Sequence, residues 1–66
     1  MEQSLTRTTF KYYKDGSYLI RIEDKHDGNL VYRGIDNRGM PILIDVDGLR
    51  RFNEVTERTF YNYARF

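Results

Sequence analysis

Apolar and polar residues alternate along the first two thirds of the chain. Phe10 and Tyr12 fall on one side of an extended backbone. So do Tyr18, Ile20 and Ile22, then Leu30 and Tyr32, then Ile42, Ile44 and Val46. The opposite sides read Arg7, Thr9, Lys11 and Tyr13; Leu19, Arg21 and Glu23; Val31, Arg33 and Ile35; Leu43 and Asp45. A period of two marks half-buried antiparallel strands. Turn residues separate the runs. Asp15-Gly16, between Thr6–Tyr13 and Tyr18–Asp24, is a hairpin signal because such tight turns need φ > 0. Lys25-His26-Asp27-Gly28-Asn29 predicts a second loop. Asp36-Asn37-Arg38-Gly39 predicts a third, with Gly39 suited to a left-handed position. Asp47-Gly48 is the fourth break. The pattern predicts a four-stranded antiparallel meander.

The remaining residues fit a different period. At about 100° per residue, Leu49, Phe52, Val55, Phe60, Tyr63 and Phe66 fall within an arc of about 140°. Arg50, Arg51, Glu54, Glu57, Arg58, Tyr61, Asn62 and Arg65 take the other side, and Asp47 is placed to cap the start. This predicts an amphipathic C-terminal helix lying on the sheet. Val55, Thr56, Thr59, Phe60, Tyr61 and Tyr63 are better strand formers than helix formers, so a strand over 55–65 is the competing reading. The expected fold is α+β: a four-stranded meander packed by one C-terminal helix. The alternative is an all-β SH3-like small barrel.

Length and composition narrow the function more than the fold. The chain has 66 residues, enough for a single small domain, 1–66, with a thin core. Lys plus Arg is 11 and Asp plus Glu is 10, and the charge is spread evenly, so no polybasic tail or acidic arm exists. Cysteine is absent, which excludes a disulfide framework. Ile42-Leu43-Ile44 is the longest aliphatic run, far short of the roughly 20 residues of a membrane span. Met1-Glu2-Gln3 opens no basic and apolar leader, so no signal peptide is expected and the expected location is cytoplasmic.

Catalysis finds little to work with. His26 is the one histidine, Ser4 and Ser17 stand in no nucleophile motif, and most turn aspartates have backbone reasons to be there. The expectation is a non-enzyme without cofactor or metal. Asp45, Asp47, Gly48 and Glu54 match four positions of a calcium-binding loop, but Leu43 stands where the first ligand is needed. A turn followed by a capped helix explains the same residues. Zinc lacks its usual ligands.

Binding is the better prospect. On a C-terminal helix, Arg51, Arg58 and Arg65 recur at seven-residue intervals, in a line about 10 Å apart. Tyr61 and Asn62 flank them. Such a row suits phosphates and base edges. The open sheet face offers Arg7, Lys11, Tyr13, Arg21 and Arg33 as a second candidate surface. A solvated face explains the helix charges equally, since Glu54 precedes Arg58 by four residues. Ten aromatics, six Tyr and four Phe, are generous for so thin a core. Some of Tyr12, Tyr13, Tyr32, Tyr61 and Tyr63 are therefore expected at the surface, as at protein interfaces.

Three segments resemble known families. Gly34-Ile35-Asp36-Asn37-Arg38-Gly39, Leu43, Asp47-Gly48, Arg51-Phe52 and Glu54-Val55-Thr56 resemble the C-terminal SH3-like domain of biotin protein ligases, over about residues 34–58. The short Gly-containing insert before Glu54 is missing, and Met40-Pro41 replaces small apolar residues. That resemblance implies a fold only, a small barrel with 54–63 as its last strand. Val55-Thr56-Glu57-Arg58-Thr59-Phe60-Tyr61-Asn62-Tyr63 resembles the recognition half of helix-turn-helix proteins, which implies that Thr56, Arg58, Thr59 and Asn62 face DNA; the first half of that motif is absent. Lys14-Asp15-Gly16-Ser17-Tyr18 is similar to the opening of the arm-type DNA-binding domains of phage-like integrases, which implies DNA contact through Arg21 and Arg33.

The resulting expectation is a non-catalytic DNA-binding accessory or regulatory protein of a phage or other mobile element. Its candidate contacts are Arg51, Arg58, Arg65, Asn62, Tyr61, Arg21, Arg33 and Lys11. The alternative is a protein-interaction module, an inhibitor or adaptor, using exposed Tyr or an open sheet edge. Self-association through spare aromatics is a third.

Overall fold

The computed structural model describes residues 10–28 and 30–66. Arg7, Thr9, Ser4, the first three residues, the 6–9 part of the first expected strand, and Asn29 lie outside the described residues. The chain forms β1 (Lys11–Asp15), β2 (Tyr18–Asp27), β3 (Val31–Asp36), β4 (Pro41–Asp45), α1 (Val46–Leu49), β5 (Asn53–Val55) and α2 (Glu57–Asn62). The strands make one antiparallel sheet in the order β4-β3-β2-β1-β5. The sheet therefore has five strands, not the four expected. The expected continuous C-terminal helix is corrected to a one-turn helix, a three-residue strand and a six-residue helix.

Local chemistry explains the correction. Asp45, not Asp47, caps α1: its carboxylate accepts from the Gly48 N–H at 2.7 Å. Gly48 and the turn beyond it end α1 after one turn. Val55-Thr56 then favours extended backbone. The Thr56 hydroxyl accepts from the Thr59 N–H at 3.1 Å and starts α2 afresh. The first hairpin is one residue displaced: Asp15 pairs with Tyr18, and Gly16 takes the loop at φ 65°. The Lys25–Asp27 part of the predicted second loop is instead the end of β2.

β2 is the middle strand, and both of its faces are covered. Leu19 and Ile20 are fully buried though they point to opposite sides, and Ile22 is 8% exposed. Leu19 packs with Tyr12 and with Phe60 of α2, bordered by Phe10, Ile35 and Val55. The Tyr12 and Phe60 rings lie 5.3 Å apart. On the other side, Ile20, Ile42, Ile44 and Phe52 line a common cleft beneath α1. Two short helices on opposite faces thus replace one long helix on one face.

The β2–β3 pairing is interrupted twice. Glu23 and His26 each interrupt the register as bulges, since Ile22 pairs with Gly34, Asp24 with Arg33, Lys25 with Tyr32 and Asp27 with Val31. At Gly34 the two backbones come so close that a Cβ would stand 2.8 Å from the Arg21 carbonyl carbon and closer still to its oxygen. Backbone cannot retreat as a side chain can.

The β3–β4 turn also holds the C-terminal tail. The Asp36 carboxylate accepts from the Arg38 and Met40 N–H groups at 2.8 and 3.0 Å, with Gly39 at φ 83° as expected. The Asn37 side chain accepts from the Leu19 N–H at 3.4 Å and donates to the Tyr63 carbonyl at 3.3 Å. Its own carbonyl accepts from the Arg65 N–H at 2.7 Å.

Replacing Gly34 by Ala is expected to abolish the folded state, seen as loss of amide dispersion in a proton–nitrogen spectrum. Phe60→Ala empties the centre of the α2 contact. It is expected to cost about 3–5 kcal/mol in urea unfolding, which is most of the stability of a small domain.

Candidate functional site

The candidate residues do not converge on one surface. Across β1 and β2, Lys11 pairs with Ile22 and Tyr13 with Ile20, whereas Tyr12 pairs with Arg21. Paired residues share a face, so Lys11 and Tyr13 lie on the side opposite Arg21. Arg33, two residues before the Ile35 that pairs with Arg21, shares the Arg21 side. The single open face that alternation predicts is therefore two different faces.

Arg21 is engaged inside the fold. Its guanidinium donates to Glu23 through Nε at 3.0 Å and through a second nitrogen, and to the Tyr61 hydroxyl at 2.5 Å. It also lies 4.8 Å above the Phe10 ring centroid. Burial alone would lower its pKa, but the bonds to Glu23 and Tyr61 outweigh that and raise it. Arg33 donates to Asp24 at 3.1 and 2.5 Å. Arg51 lies in the turn after α1, Arg58 in α2 with Asn62, and Arg65 in the tail; all four are exposed. With β5 between Arg51 and Arg58, the three arginines form no helical line. Tyr61 is 41% exposed, its hydroxyl on Arg21. Lys11 is exposed on β1.

An aromatic-lined cleft lies elsewhere. Tyr13 of β1, Tyr32 of β3, Val46 and Leu49 of α1, and Phe52 line a cleft of about 310 Å³, with Arg50 and Glu54 at its rim. Each element contributes for a local reason. Alternation turns Tyr13 and Tyr32 to the α1 side of the sheet. Asp45 caps α1 so that Val46 and Leu49 face inward. Glu54 pairs directly with Tyr13 across β1 and β5. The Tyr13 hydroxyl has its pKa raised by burial first, then by Glu54 and Tyr32. Lys25 pairs with Tyr32, and Lys11 is two residues from Tyr13, so both ammonium groups stand on the side of the cleft.

A second cleft, about 350 Å³, continues past Phe52 and is lined by Tyr18, Ile20, Ile42, Ile44 and Arg51 among others. Tyr18 and Phe52 stand 6.1 Å apart between the ring centroids. Burial, then Asp36, raises the Tyr18 pKa. The helical reading placed Leu49 and Phe52 in a core stripe and so concealed their place in a cleft. The signal available for it was the period of two, which sets Tyr13 with Lys11 and Tyr32 with Leu30 on one side of their strands.

Among the described residues no three His, Asp or Glu side chains are grouped to hold a metal, and no helix is long and apolar enough to cross a membrane. No protein-family model, curated protein or solved structure matches the chain.

Tyr12 gives the fold a measurable pH response. Burial first, then its bond to Tyr61, pushes its pKa from 10.0 up to about 12. The folded state prefers the neutral phenol, so this contribution is complete below pH 10.0 and is lost as pH rises through about 12. The melting temperature is expected to fall across that window, and to fall less steeply in Tyr12→Phe. An equally steep fall in both proteins would assign the effect to another group.

Proposed function

We propose that the chain is a protein-interaction module of the SH3-like small-barrel kind that takes an extended peptide in the Tyr13–Tyr32 cleft. The carrying observation is the cleft itself: two tyrosines and Phe52 over an aliphatic floor, with one acid and one base at the rim. Its size and composition are those of a ligand site. Aromatic-lined grooves suit polyproline segments, whose backbone is extended before binding and loses little entropy. The barrel reading is supported by strand order. The last strand follows a single helical turn and returns to pair with the first. The partly exposed tyrosines fit an inhibitor or adaptor better than a catalyst.

The second reading is DNA binding by an accessory or regulatory protein of a mobile element. The exposure of Arg51, Arg58, Arg65, Asn62 and Lys11 favours it. These groups come from a turn, a helix, a tail and a strand, so they would act as scattered phosphate contacts.

One pair of titrations separates the two. A panel of proline-rich decapeptides is expected to shift the amide signals of Tyr13, Tyr32 and Leu49, and Tyr13→Ala is expected to weaken binding at least about tenfold. Mixed-sequence duplex DNA is the counter-probe. Anisotropy that rises with DNA, falls steeply with salt and is abolished by Arg58→Glu would instead establish the nucleic-acid reading.

A further inference from the structure

β4 is an outer strand of the sheet, and its own pairing dictates what its free side presents. The Asp36 N–H donates to the Met40 carbonyl, and the Val46 N–H donates to the Leu30 carbonyl. Between these bonds, Gly34 pairs with Ile42 and Tyr32 with Ile44. In an antiparallel ladder, residues that bond to the partner alternate with residues whose backbone groups point away. Met40, Ile42, Ile44 and Val46 thus bond towards β3. Pro41, Leu43 and Asp45 direct their backbone groups outward. Pro41 fits that assignment, because its missing N–H falls on the unpaired side. Leu43 stands at the centre with an outward N–H and C=O and a side chain 58% exposed.

We propose that β4 pairs antiparallel with β4 of a second copy of this chain, about a two-fold axis at Leu43. Leu43 then exchanges both backbone bonds with its counterpart. Each Asp45 N–H donates to the Pro41 carbonyl across the axis. Ile42 faces Ile44, and Met40 faces Val46. The strand matches itself under this operation, with apolar opposite apolar at Met40–Val46, Ile42–Ile44 and Leu43–Leu43.

The exposed charges Arg38 and Asp47 at the two ends of β4 also complement each other under this axis. Arg38 precedes β4, and the Arg65 N–H bond to the Asn37 carbonyl places Arg65 beside the same turn. Asp45 and Asp47 lie at the other end, where Arg50 and Arg51 follow. The side chains of Arg38 and Asp47 are 69% and 87% exposed, and their local partners Asp36 and Arg50 stand 3.9 and 3.5 Å away. The two-fold axis lays the Arg38 end beside the Asp47 end twice over. A foreign strand could meet the outward amides but would need to reproduce both matches. This surface meets the Tyr13–Tyr32 cleft at Val46 but rests on the free backbone edge of β4, and its test needs no bound peptide.

Sedimentation velocity on the full chain, from about 10 µM to about 1 mM, tests the proposal. The mass is expected to rise from 8.0 kDa to twice that value. The Leu43 and Asp45 amides are expected to exchange more slowly at the higher concentration. Leu43→Lys is expected to stay monomeric throughout, with unchanged circular dichroism. Asp47→Arg is expected to weaken the dimer and Arg38→Asp combined with Asp47→Arg to restore it, a rescue that a merely unfolded variant could not give. A wild-type chain that is monomeric at the highest concentration overturns the proposal. So does a dimer that Leu43→Lys leaves intact.

Discussion

The fold depends on covering the middle strand twice. β2 carries Leu19 on one face and Ile20 with Ile22 on the other, and none of the three is left in water. A sheet with one dry face could not satisfy that strand. The chain answers with two separate covers, α2 with Phe60 on one side and α1 with Phe52 on the other. Each buried large side chain stabilises by roughly 1.5–3 kcal/mol, so losing either cover leaves a core too small for a domain of this length. The division of the C-terminal third into helix, strand and helix follows from this demand. A straight helix could serve only one face.

Polar groups hold the two covers in place. Asn37 touches the start of β2 and the tail beyond α2, so the β3–β4 turn fixes where the second cover sits. Arg21 does the same from the sheet, reaching Glu23 and Tyr61 together. These are partly buried polar side chains, and their bonds matter most where water is excluded. The aromatic cleft is a by-product of the opposite cover. α1 is too short to shield Tyr13 and Tyr32 completely, and what it leaves open is concave and apolar.

The strands were legible because alternation has one period and clear punctuation. The Asp36–Gly39 turn read correctly and the order of strands from β1 to β4 followed, while the first turn lies one residue later and the second loop is shorter than the pattern suggests. The C-terminal third was misread for a physical reason. Phe60 is buried and Leu49, Phe52 and Val55 are half-buried, and a helical wheel gathers all four on one side whether or not the helix exists. Here they belong to opposite faces of the sheet. Better signals were the β-branched Val55-Thr56 pair and the threonine at 56, three residues before Thr59. The arginines illustrate the limit at a site. Arg21 reads as a solvent residue by alternation, yet its stem and fork are held under α2, because partners forty residues away in sequence are invisible to a local pattern. The cleft shares that limit, since Tyr13 and Tyr32 meet Leu49 only through long-range pairing.

The pairing of β5 with β1 has a kinetic side. Tyr12 meets Val55, so more than half the chain must be enclosed before that ladder forms, and it then spans only three residue pairs. The β2–β3–β4 hairpins close short loops and need no such reach. Loop-closure entropy therefore orders assembly: the hairpins form early, and β5 with α2 docks last. Run backwards, the same order makes the C-terminal unit the first to detach. Each such opening uncovers Leu19 and Tyr12 while the hairpins remain intact, a partly open species in which the face normally hidden under Phe60 is briefly wet.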